Sequence, residues 1–248
     1  MIEPAEIFDE YSFAALYDDF NGWGSGDEFY LAMARQIGGP VLDIGCGTGM
    51  LACRMASEGL DIVGVDPADG MLRVARSRPG AERVRWVHSD GQSLRLPDRF
   101  GFIYMTGHAF QALLTDDDAV GVLKTMAHHL SDKGCVAFDT RNPLRREWES
   151  WTPENARIVD TRDHGRVEES HDTRQEPGGI VAITHRYRFL DRATEKIGRS
   201  RIRFVGRDHV AELLARAGLN PTAWYGDWDR SAFSPESKEI IPVAECGH

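Results

Sequence analysis

The 248-residue sequence has few cysteines, no excess of positive charge and no long apolar run, and each shortage excludes a class of protein. Four cysteines without a C-x-x-C pair fit free thiols in a reducing compartment rather than a disulfide framework. A formal net charge of -10 disfavours nucleic-acid and acidic-membrane partners, because lysine and arginine dominate binding to phosphates. No stretch reaches the roughly 18 apolar residues that a membrane span needs, and the first residues lack a signal-peptide pattern. We therefore expect a cytoplasmic protein that binds neither nucleic acid nor a membrane.

Familiar metal-binding and hydrolase motifs are also missing. The sequence contains neither an H-E-x-x-H helix motif nor a G-x-S-x-G nucleophile elbow. His128 and His129 are adjacent, so they point in different directions from a helix. Glu168, Glu169 and His171 lie in a strand pattern, where alternate residues face opposite sides. The sequence therefore predicts no metal site.

Between residues 40 and 140, short apolar runs alternate with amphipathic segments. The runs at 41–44, 62–65, 84–87, 102–105 and 135–138 predict strands, and the segments between them predict helices. Such alternation indicates a parallel sheet that is covered by helices on both faces. A helix at 208–217 and strands near 222–225 and 239–244 would complete a mostly parallel, seven-stranded α/β sheet.

Two segments depart from this alternation. Residues 1–39 predict an N-terminal helical lid, with an aromatic helical stretch at about 4–20 and a second helix capped by Asp27. Residues 144–206 contain period-two runs, which predict an inserted antiparallel sheet that covers a substrate or forms a homodimer contact. These segments flank a ligand-binding core at 40–143, and residues 207–248 supply the helix and strand pair that complete it.

A glycine-rich turn follows the first predicted strand, where residues 41–49 read V-L-D-I-G-C-G-T-G. Gly45 and Gly47 allow the backbone to approach a ligand closely, and the next helix begins with free N–H groups. An ordinary tight turn between a strand and a helix would have the same spacing. The turn alone therefore does not decide between a structural and a binding role.

Carboxylates at three successive strand ends favour the binding role. Asp43, Asp66 and Asp90 lie at the ends of the first three predicted strands, and ligands of open α/β sheets bind at that edge. An acidic residue in the position of Asp66 accepts hydrogen bonds from ribose hydroxyls. A dinucleotide fingerprint would need glycine at Met50, whereas the third glycine here is Gly49. A nicotinamide-dependent enzyme is therefore the weaker alternative.

With these motifs, the chain resembles the small-molecule class I S-adenosylmethionine-dependent methyltransferases over residues 40–140. Residues 41–49 resemble motif I of that family, 63–67 resemble motif II, and 89–91 resemble motif III. The resemblance implies a Rossmann-like methyltransferase fold, S-adenosyl-L-methionine as cofactor and S-adenosyl-L-homocysteine as product.

The resemblance also implies roles for individual residues. Asp43 would steady the ammonium group of the cofactor, Asp66 would take the ribose hydroxyls, and Asp90 would take the adenine amino group. Met71 would pack on the adenine ring, although an ordinary core methionine fits equally well. Tyr17 would reach the cofactor from the lid, or it packs inside the lid. The implied cofactor-binding set is Tyr17, Asp43, Gly45, Cys46, Gly47, Asp66, Pro67, Met71, Asp90, Gly91, Gln92 and Met105.

The end of the fourth predicted strand lies beside the reacting atoms in that family. His108 follows a glycine there, and a histidine can act as a general base near neutral pH. It could equally shape the pocket wall without taking a proton. Tyr11, Gln111, Arg141 and Trp228 are the candidate contacts to the acceptor.

The predicted function is transfer of a methyl group to an oxygen or nitrogen of a small molecule. Two alternatives stay open. One is an NAD(P)-dependent oxidoreductase on a Rossmann-type sheet. The other is a non-catalytic module that binds S-adenosylmethionine.

Overall fold

The computed structural model describes residues 6–247, so residues 1–5 and 248, at the ends of the predicted lid and C-terminal segment, lie outside the described residues. The helices are α1 (Glu6–Asp9), α2 (Tyr11–Phe20), α3 (Ser25–Ile37), α4 (Met50–Ser57), α5 (Asp69–Ser77), α6 (Asp116–His129) and α7 (Arg207–Arg216). The strands are β1 (Val41–Ile44), β2 (Ile62–Asp66), β3 (Arg85–His88), β4 (Phe100–Met105), β5 (Leu130–Phe138), β6 (Thr140–Arg141), β7 (Arg157–Thr161), β8 (Gly165–Glu176), β9 (Ile180–Phe189), β10 (Thr194–Arg203), β11 (Leu219–Tyr225) and β12 (Glu239–Cys246).

The main sheet has the strand order β11-β12-β5-β4-β1-β2-β3, and the short β6 pairs with the start of β12. Neighbours from β3 to β5 are parallel, whereas β12 runs antiparallel to both β5 and β11. The order reverses direction beside β1, so the carboxyl ends of β1 and β4 flank the crevice where ligands of such sheets bind. The predicted mostly parallel seven-stranded sheet is confirmed.

Helices cover both faces of this sheet because successive strand residues point to opposite sides. Val41 and Phe102 face a core that also contains residues of α3 and α4. Leu42 and Ile103 face a second core, which α6 and α7 close. Within the described residues, no helix is long and apolar enough to cross a membrane.

The lid region differs slightly from its predicted pattern. Asp27 was expected to cap a helix that begins after it, but α3 already begins at Ser25. The Asp27 carboxylate accepts a hydrogen bond from the Gly24 N–H at 2.8 Å, so the aspartate closes the first turn from inside the helix. Gly24 therefore occupies the N-cap position, and Asp27 lies three residues after it. From there its carboxylate caps the helix by binding the Gly24 N–H.

The inserted sheet is antiparallel, with the strand order β10-β9-β8-β7, as its period-two pattern predicted. Its inner face packs Val167, Tyr187 and Phe189 against Phe13 and Phe20 of α2. The strand β7 was not predicted, because its sequence, R-I-V-D-T, lacks a clear apolar alternation.

Two arginines on the outer face of the inserted sheet are paired with glutamates of the same sheet. Ion pairs join Arg186 to Glu195 at 3.0 Å, and Arg188 to Glu168 at 2.9 Å. Exposed pairs of this kind are individually worth little to stability, but they leave fewer free cations on the outer face. Arg186 and Arg188 therefore form part of a solvated, salt-bridged face.

Candidate cofactor and acceptor site

The glycine-rich turn between β1 and α4 holds its glycines in a conformation that other residues rarely adopt. Gly45 and Gly47 have φ angles of +80° and +53°. A Cβ on Gly45 would lie 3.0 Å from the Ala109 side chain, so that position is closely packed. In the part of the chain that the structure describes, a Cβ on Gly47 would meet no atom within 4 Å. The space beside Gly47 is therefore open, as the cradle of a ligand would be.

Asp66 links the end of β2 to this turn. Its two carboxylate oxygens accept hydrogen bonds from the Gly47 and Ala68 N–H groups, each at 2.8 Å. Burial raises the pKa of Asp66 to about 6, although these two donors act in the opposite direction. Two backbone donors thus fix this ionisable carboxylate beside the glycine turn.

Asp43 brings a second carboxylate to the same edge from β1. One of its oxygens accepts a hydrogen bond from the Tyr104 hydroxyl at 2.9 Å, while Oδ1 is buried without a partner among residues 6–247. Burial raises the pKa of Asp43 to about 8, and the Tyr104 hydroxyl opposes that rise. A buried acceptor without a donor is costly, and an ammonium group is the kind of donor that would satisfy it. These residues therefore fit the cofactor that the sequence implies.

Asp90, at the end of β3, is occupied by its own loop. It accepts hydrogen bonds from the N–H groups of Gln92 and Ser93 and from the Ser93 hydroxyl. Burial would raise the pKa of Asp90, but these hydrogen bonds outweigh it and lower the pKa. The Gln92 amide donates to Asp118 of α6 at 2.9 Å, so its side chain is anchored on that helix. Gly91 packs closely on Ile44, because a Cβ added to Gly91 would lie 3.1 Å from the Ile44 side chain.

The remaining predicted cofactor residues lie around the same turn but mostly within packed layers. Met71 is buried in a small cluster with Ala14 and Ala68, which supports the interpretation that it is an ordinary core methionine. Met105 belongs to the core beneath the sheet. The Pro67 carbonyl contacts the His88 ring at 2.8 Å. Burial raises the pKa of the Cys46 thiol well above its usual range, so the thiol stays protonated.

The helix α2 places Tyr17 at the end of β4. The Tyr17 hydroxyl lies 3.8 Å from the Cβ position of Gly107. Burial raises the pKa of Tyr17 to about 12, so the phenol is neutral and can donate a hydrogen bond. Next to it, the Asp18 carboxylate accepts a hydrogen bond from the Thr48 hydroxyl at 2.6 Å and pairs with Arg78. Asp18, Thr48 and Arg78 thus connect the lid to the glycine turn.

Tyr11 is the one predicted acceptor residue that the structure separates from the others. Its side chain is 43% exposed, and the Arg73 guanidinium lies 4.5 Å from the ring centroid. This contact is on the outer side of α5. Tyr11 therefore stabilises the packing of α2 on α5 through a cation–π contact.

His108 lies at the end of β4 within a buried acidic network. Its backbone has a left-handed φ of +62°, and its N–H donates to Asp139 at 2.7 Å. The ring Nε2 lies 3.0 Å from a carboxylate oxygen of Glu239. The Tyr30 hydroxyl donates to the other oxygen of Asp139 at 2.8 Å, and burial raises the pKa of Asp139.

Tyr30, Asp139 and Glu239 were not predicted as site residues. The only signal in the sequence was their position, since Asp139 directly follows β5 and Glu239 begins β12. Because β5 and β12 are antiparallel neighbours, the end of one lies beside the start of the other. Asp139 and Glu239 therefore meet His108 at the sheet edge, and the Tyr30 hydroxyl reaches Asp139 from α3.

The other acceptor candidates lie on the same side of the sheet as His108. The buried Gln111 accepts a hydrogen bond from Arg141 at 2.8 Å. Arg141 is also 3.3 Å from Glu147, and its guanidinium lies over the Trp151 ring. The Trp228 ring is 6.5 Å from that of His108. Three of the four predicted acceptor residues are thus brought near the end of β4.

Comparisons with known proteins find a matching domain and a shared fold. Residues 41–134 match the family model described as a methyltransferase domain. The chain is 23% identical over 143 residues to the putative methyltransferase YqeM of Bacillus subtilis. The aligned region covers 57% of this chain and 55% of YqeM. The chain thus spans little more than half the length of this curated relative.

Two solved structures are similar over nearly the whole chain. The CcbJ methyltransferase of Streptomyces caelestis has a TM-score of 0.81 at 18% identity, covering 98% of this chain and 99% of that one. The amino pentose methyltransferase CalS10 of Micromonospora echinaspora, solved with S-adenosylmethionine bound, has a TM-score of 0.69 at 20% identity, with 94% and 95% covered. Residues 41–134 therefore match a methyltransferase domain, and the chain shares the fold of these two methyltransferases.

Proposed function

We propose that this chain transfers a methyl group from S-adenosylmethionine to an oxygen or nitrogen of a small molecule. The observation that carries the proposal is the unpartnered Asp43 oxygen beside an open glycine turn and the buried Asp66. The ammonium group of the cofactor fits the Asp43 oxygen, its methionine moiety fits the glycine turn, and its ribose fits Asp66. The family and the amino pentose acceptor of CalS10 support a small-molecule substrate.

The cofactor would be held by residues that the structure already fixes. Asp43 would accept the ammonium group, Asp66 the ribose hydroxyls and Asp90 the adenine amino group. When bound, S-adenosylmethionine supplies an electrophilic methyl group on its sulfonium. Tyr17, a neutral phenol at the end of β4, would donate a hydrogen bond to the carboxylate of the cofactor.

On the acceptor side, His108 has the arrangement of an oriented general base. Its Nε2 faces the Glu239 carboxylate, so we assign the ring proton to Nε2. This tautomer leaves the lone pair of Nδ1 free to accept a proton from the acceptor hydroxyl or ammonium group. Glu239 would then stabilise the imidazolium, as the acidic member of a catalytic triad does. Asp139 positions the histidine through its backbone N–H.

The inserted sheet would cover the acceptor and exclude water. Its strand β10 reaches the end of β4, where the Arg203 carbonyl accepts a hydrogen bond from Gln111 at 3.2 Å. Alignment in a water-free site supplies much of the acceleration of a displacement reaction. A homodimer contact through the outer face of this sheet is the alternative role, and light scattering at several protein concentrations tests it.

We also propose a cytoplasmic location, because all four cysteines are free thiols, as expected in a reducing compartment. Cell fractionation tests this proposal. Recovery of the native chain in an oxidising compartment with its thiols paired would contradict it.

Calorimetric titration with four ligands tests the cofactor assignment. We expect S-adenosylmethionine and S-adenosylhomocysteine to bind at one site, and NAD and NADP to give no saturable heat. Saturable binding of a nicotinamide cofactor alone would favour the oxidoreductase alternative. A methyl-transfer assay on a panel of amines and alcohols then separates the enzyme from a non-catalytic module, which would bind the cofactor and consume no acceptor.

A further inference from the structure

The inner face of the inserted sheet is apolar at its two ends and polar in its middle. One end carries Tyr187 in the cluster that packs on α2, and the other carries Ile183 in a separate apolar cluster. Between them lie Glu169, His171 and His185, with Glu169 fully buried. Polar side chains on an otherwise apolar, covered face cost free energy unless they bind a partner. The middle of this face therefore needs a chemical explanation.

The pairing register brings these three side chains together. His171 on β8 pairs directly with His185 on β9, and Glu169 lies two residues before His171, on the same face. The ring centroids of His171 and His185 are 5.0 Å apart, and His171 Nε2 is 3.7 Å from Glu169 Oε1. One donor atom from each residue lies within 4.8 Å of the other two. A tetrahedral zinc ion needs donors about 3.4 Å apart, so small side-chain rotations suffice.

Neighbouring side chains hold two of these donors in place. The Glu169 carboxylate accepts hydrogen bonds from the Tyr187 hydroxyl at 2.8 Å and from Arg157 at 2.6 Å. His185 contacts the Ser200 hydroxyl through Nε2 at 2.7 Å. Outer partners of this kind orient the ligands of metal sites. The His171 side chain is 26% exposed, which provides a path for entry from solvent.

We propose that Glu169, His171 and His185 bind one divalent transition-metal ion. Two imidazole nitrogens and one carboxylate oxygen suit zinc-like ions, whereas magnesium and calcium prefer oxygen donors. Water would fill the fourth position. The ion would connect β8 to β9 in the middle of the sheet. No such site was expected from the sequence, because His185 reaches the other two residues only through the strand register.

Cobalt binding to the untagged, chelator-treated full chain tests this site. We expect one Co²⁺ per chain, with the visible absorption bands of a tetrahedral ion and displacement by Zn²⁺. His171→Asn, His185→Asn and Glu169→Gln should each weaken binding at least about ten-fold. His128→Asn on α6 is the matched control and should bind like the parent chain. The absence of these bands, or bands that persist unchanged in the three variants, would overturn the proposal.

Two further measurements keep the test independent of folding. Circular dichroism of each metal-free variant shows whether its sheet has formed. X-ray absorption of the cobalt-loaded parent chain needs no variant, and we expect two imidazole ligands. A spectrum with one imidazole or none would overturn the assignment. Neither readout depends on methyl transfer, so failure of the proposed function would leave this test unaffected.

Discussion

The pH dependence of cofactor binding is the most specific consequence of the buried Asp66 carboxylate. Burial raises its pKa to about 6 in the folded chain. Ribose hydroxyls donate hydrogen bonds to the ionised carboxylate, so protonation competes with binding. The affinity for S-adenosylmethionine should therefore rise as the pH increases through about 6.

The size of the effect follows from the fraction of Asp66 that is ionised. With a pKa of about 6, about one tenth of Asp66 is ionised at pH 5 and about nine tenths at pH 7, so this carboxylate alone contributes a roughly ten-fold rise in affinity over that range, which is the part that disappears in a variant without it. The effect on the unbound chain has the opposite sign. Because the folded pKa lies above the unfolded one, the contribution of Asp66 to folding stability falls by about 3 kcal/mol as the pH rises from about 4 past 6.

Asp66→Asn removes the charge and one of the two acceptor oxygens. Its amide would place N–H against the backbone donor of either Gly47 or Ala68. Loss of charge-assisted hydrogen bonds to the ribose should weaken cofactor binding about 100-fold at pH 7. The pH step near 6 should also disappear.

Calorimetric titration with S-adenosylmethionine between pH 5 and pH 7 measures both effects. Asp69→Asn is the matched control, because that carboxylate is 56% exposed and only three residues away. The control should keep the affinity and the step. A parent chain whose affinity is independent of pH, or an Asp66→Asn variant that keeps both affinity and step, would refute this assignment.

Three other predictions address the remaining parts of the site. Asp43→Asn should remove a further rise in cofactor affinity near pH 8, because burial raises the pKa of Asp43 to about 8 and the ammonium group binds its ionised form. His108→Asn and Glu239→Gln should each lower kcat about 100-fold or more while cofactor affinity stays within about two-fold, as measured by steady-state kinetics and calorimetry. Gly47→Ala should weaken cofactor binding at least about ten-fold in calorimetry, since its Cβ would enter the open space and its φ of +53° adds strain of about 1–2 kcal/mol.

Each of these predictions has a contrary outcome. An unchanged profile near pH 8 in Asp43→Asn would remove the ammonium role. Full turnover in either member of the His108 and Glu239 pair would exclude a general base there. Normal cofactor affinity in Gly47→Ala would place the ligand elsewhere, and Gly218→Ala is its control, because that glycine has a φ of +77° and equally open surroundings at the end of α7.

The proximity of Asp66 to the glycine turn was predictable because its information is local. Asp66 is the last residue of the apolar strand β2, and Gly47 follows the apolar strand β1. The alternating pattern of strands and helices therefore predicts that both residues lie at the same edge of the sheet. Parallel strands bring such ends together wherever the fold alternates regularly. Sequence spacing therefore contained the geometry of this half of the site.

The acceptor side was not predictable in the same way. Glu239 meets His108 only because β12 inserts between β5 and β11 in the reverse direction. His185 meets His171 only through the register of β8 and β9. These distances depend on pairings between remote segments, and no single segment of the sequence specifies them. Tyr11 was predicted to contact the acceptor because it is aromatic. In the structure it lies instead against Arg73, because of its position on α2.

A crystal structure with S-adenosylhomocysteine tests the central claim most directly. We expect the ribose hydroxyls within hydrogen-bonding distance of Asp66, the ammonium group on Asp43 Oδ1, and the sulfur directed toward the end of β4 and His108. A ligand bound away from the glycine turn, or a ribose that leaves Asp66 without contact, would contradict the assignment of this site.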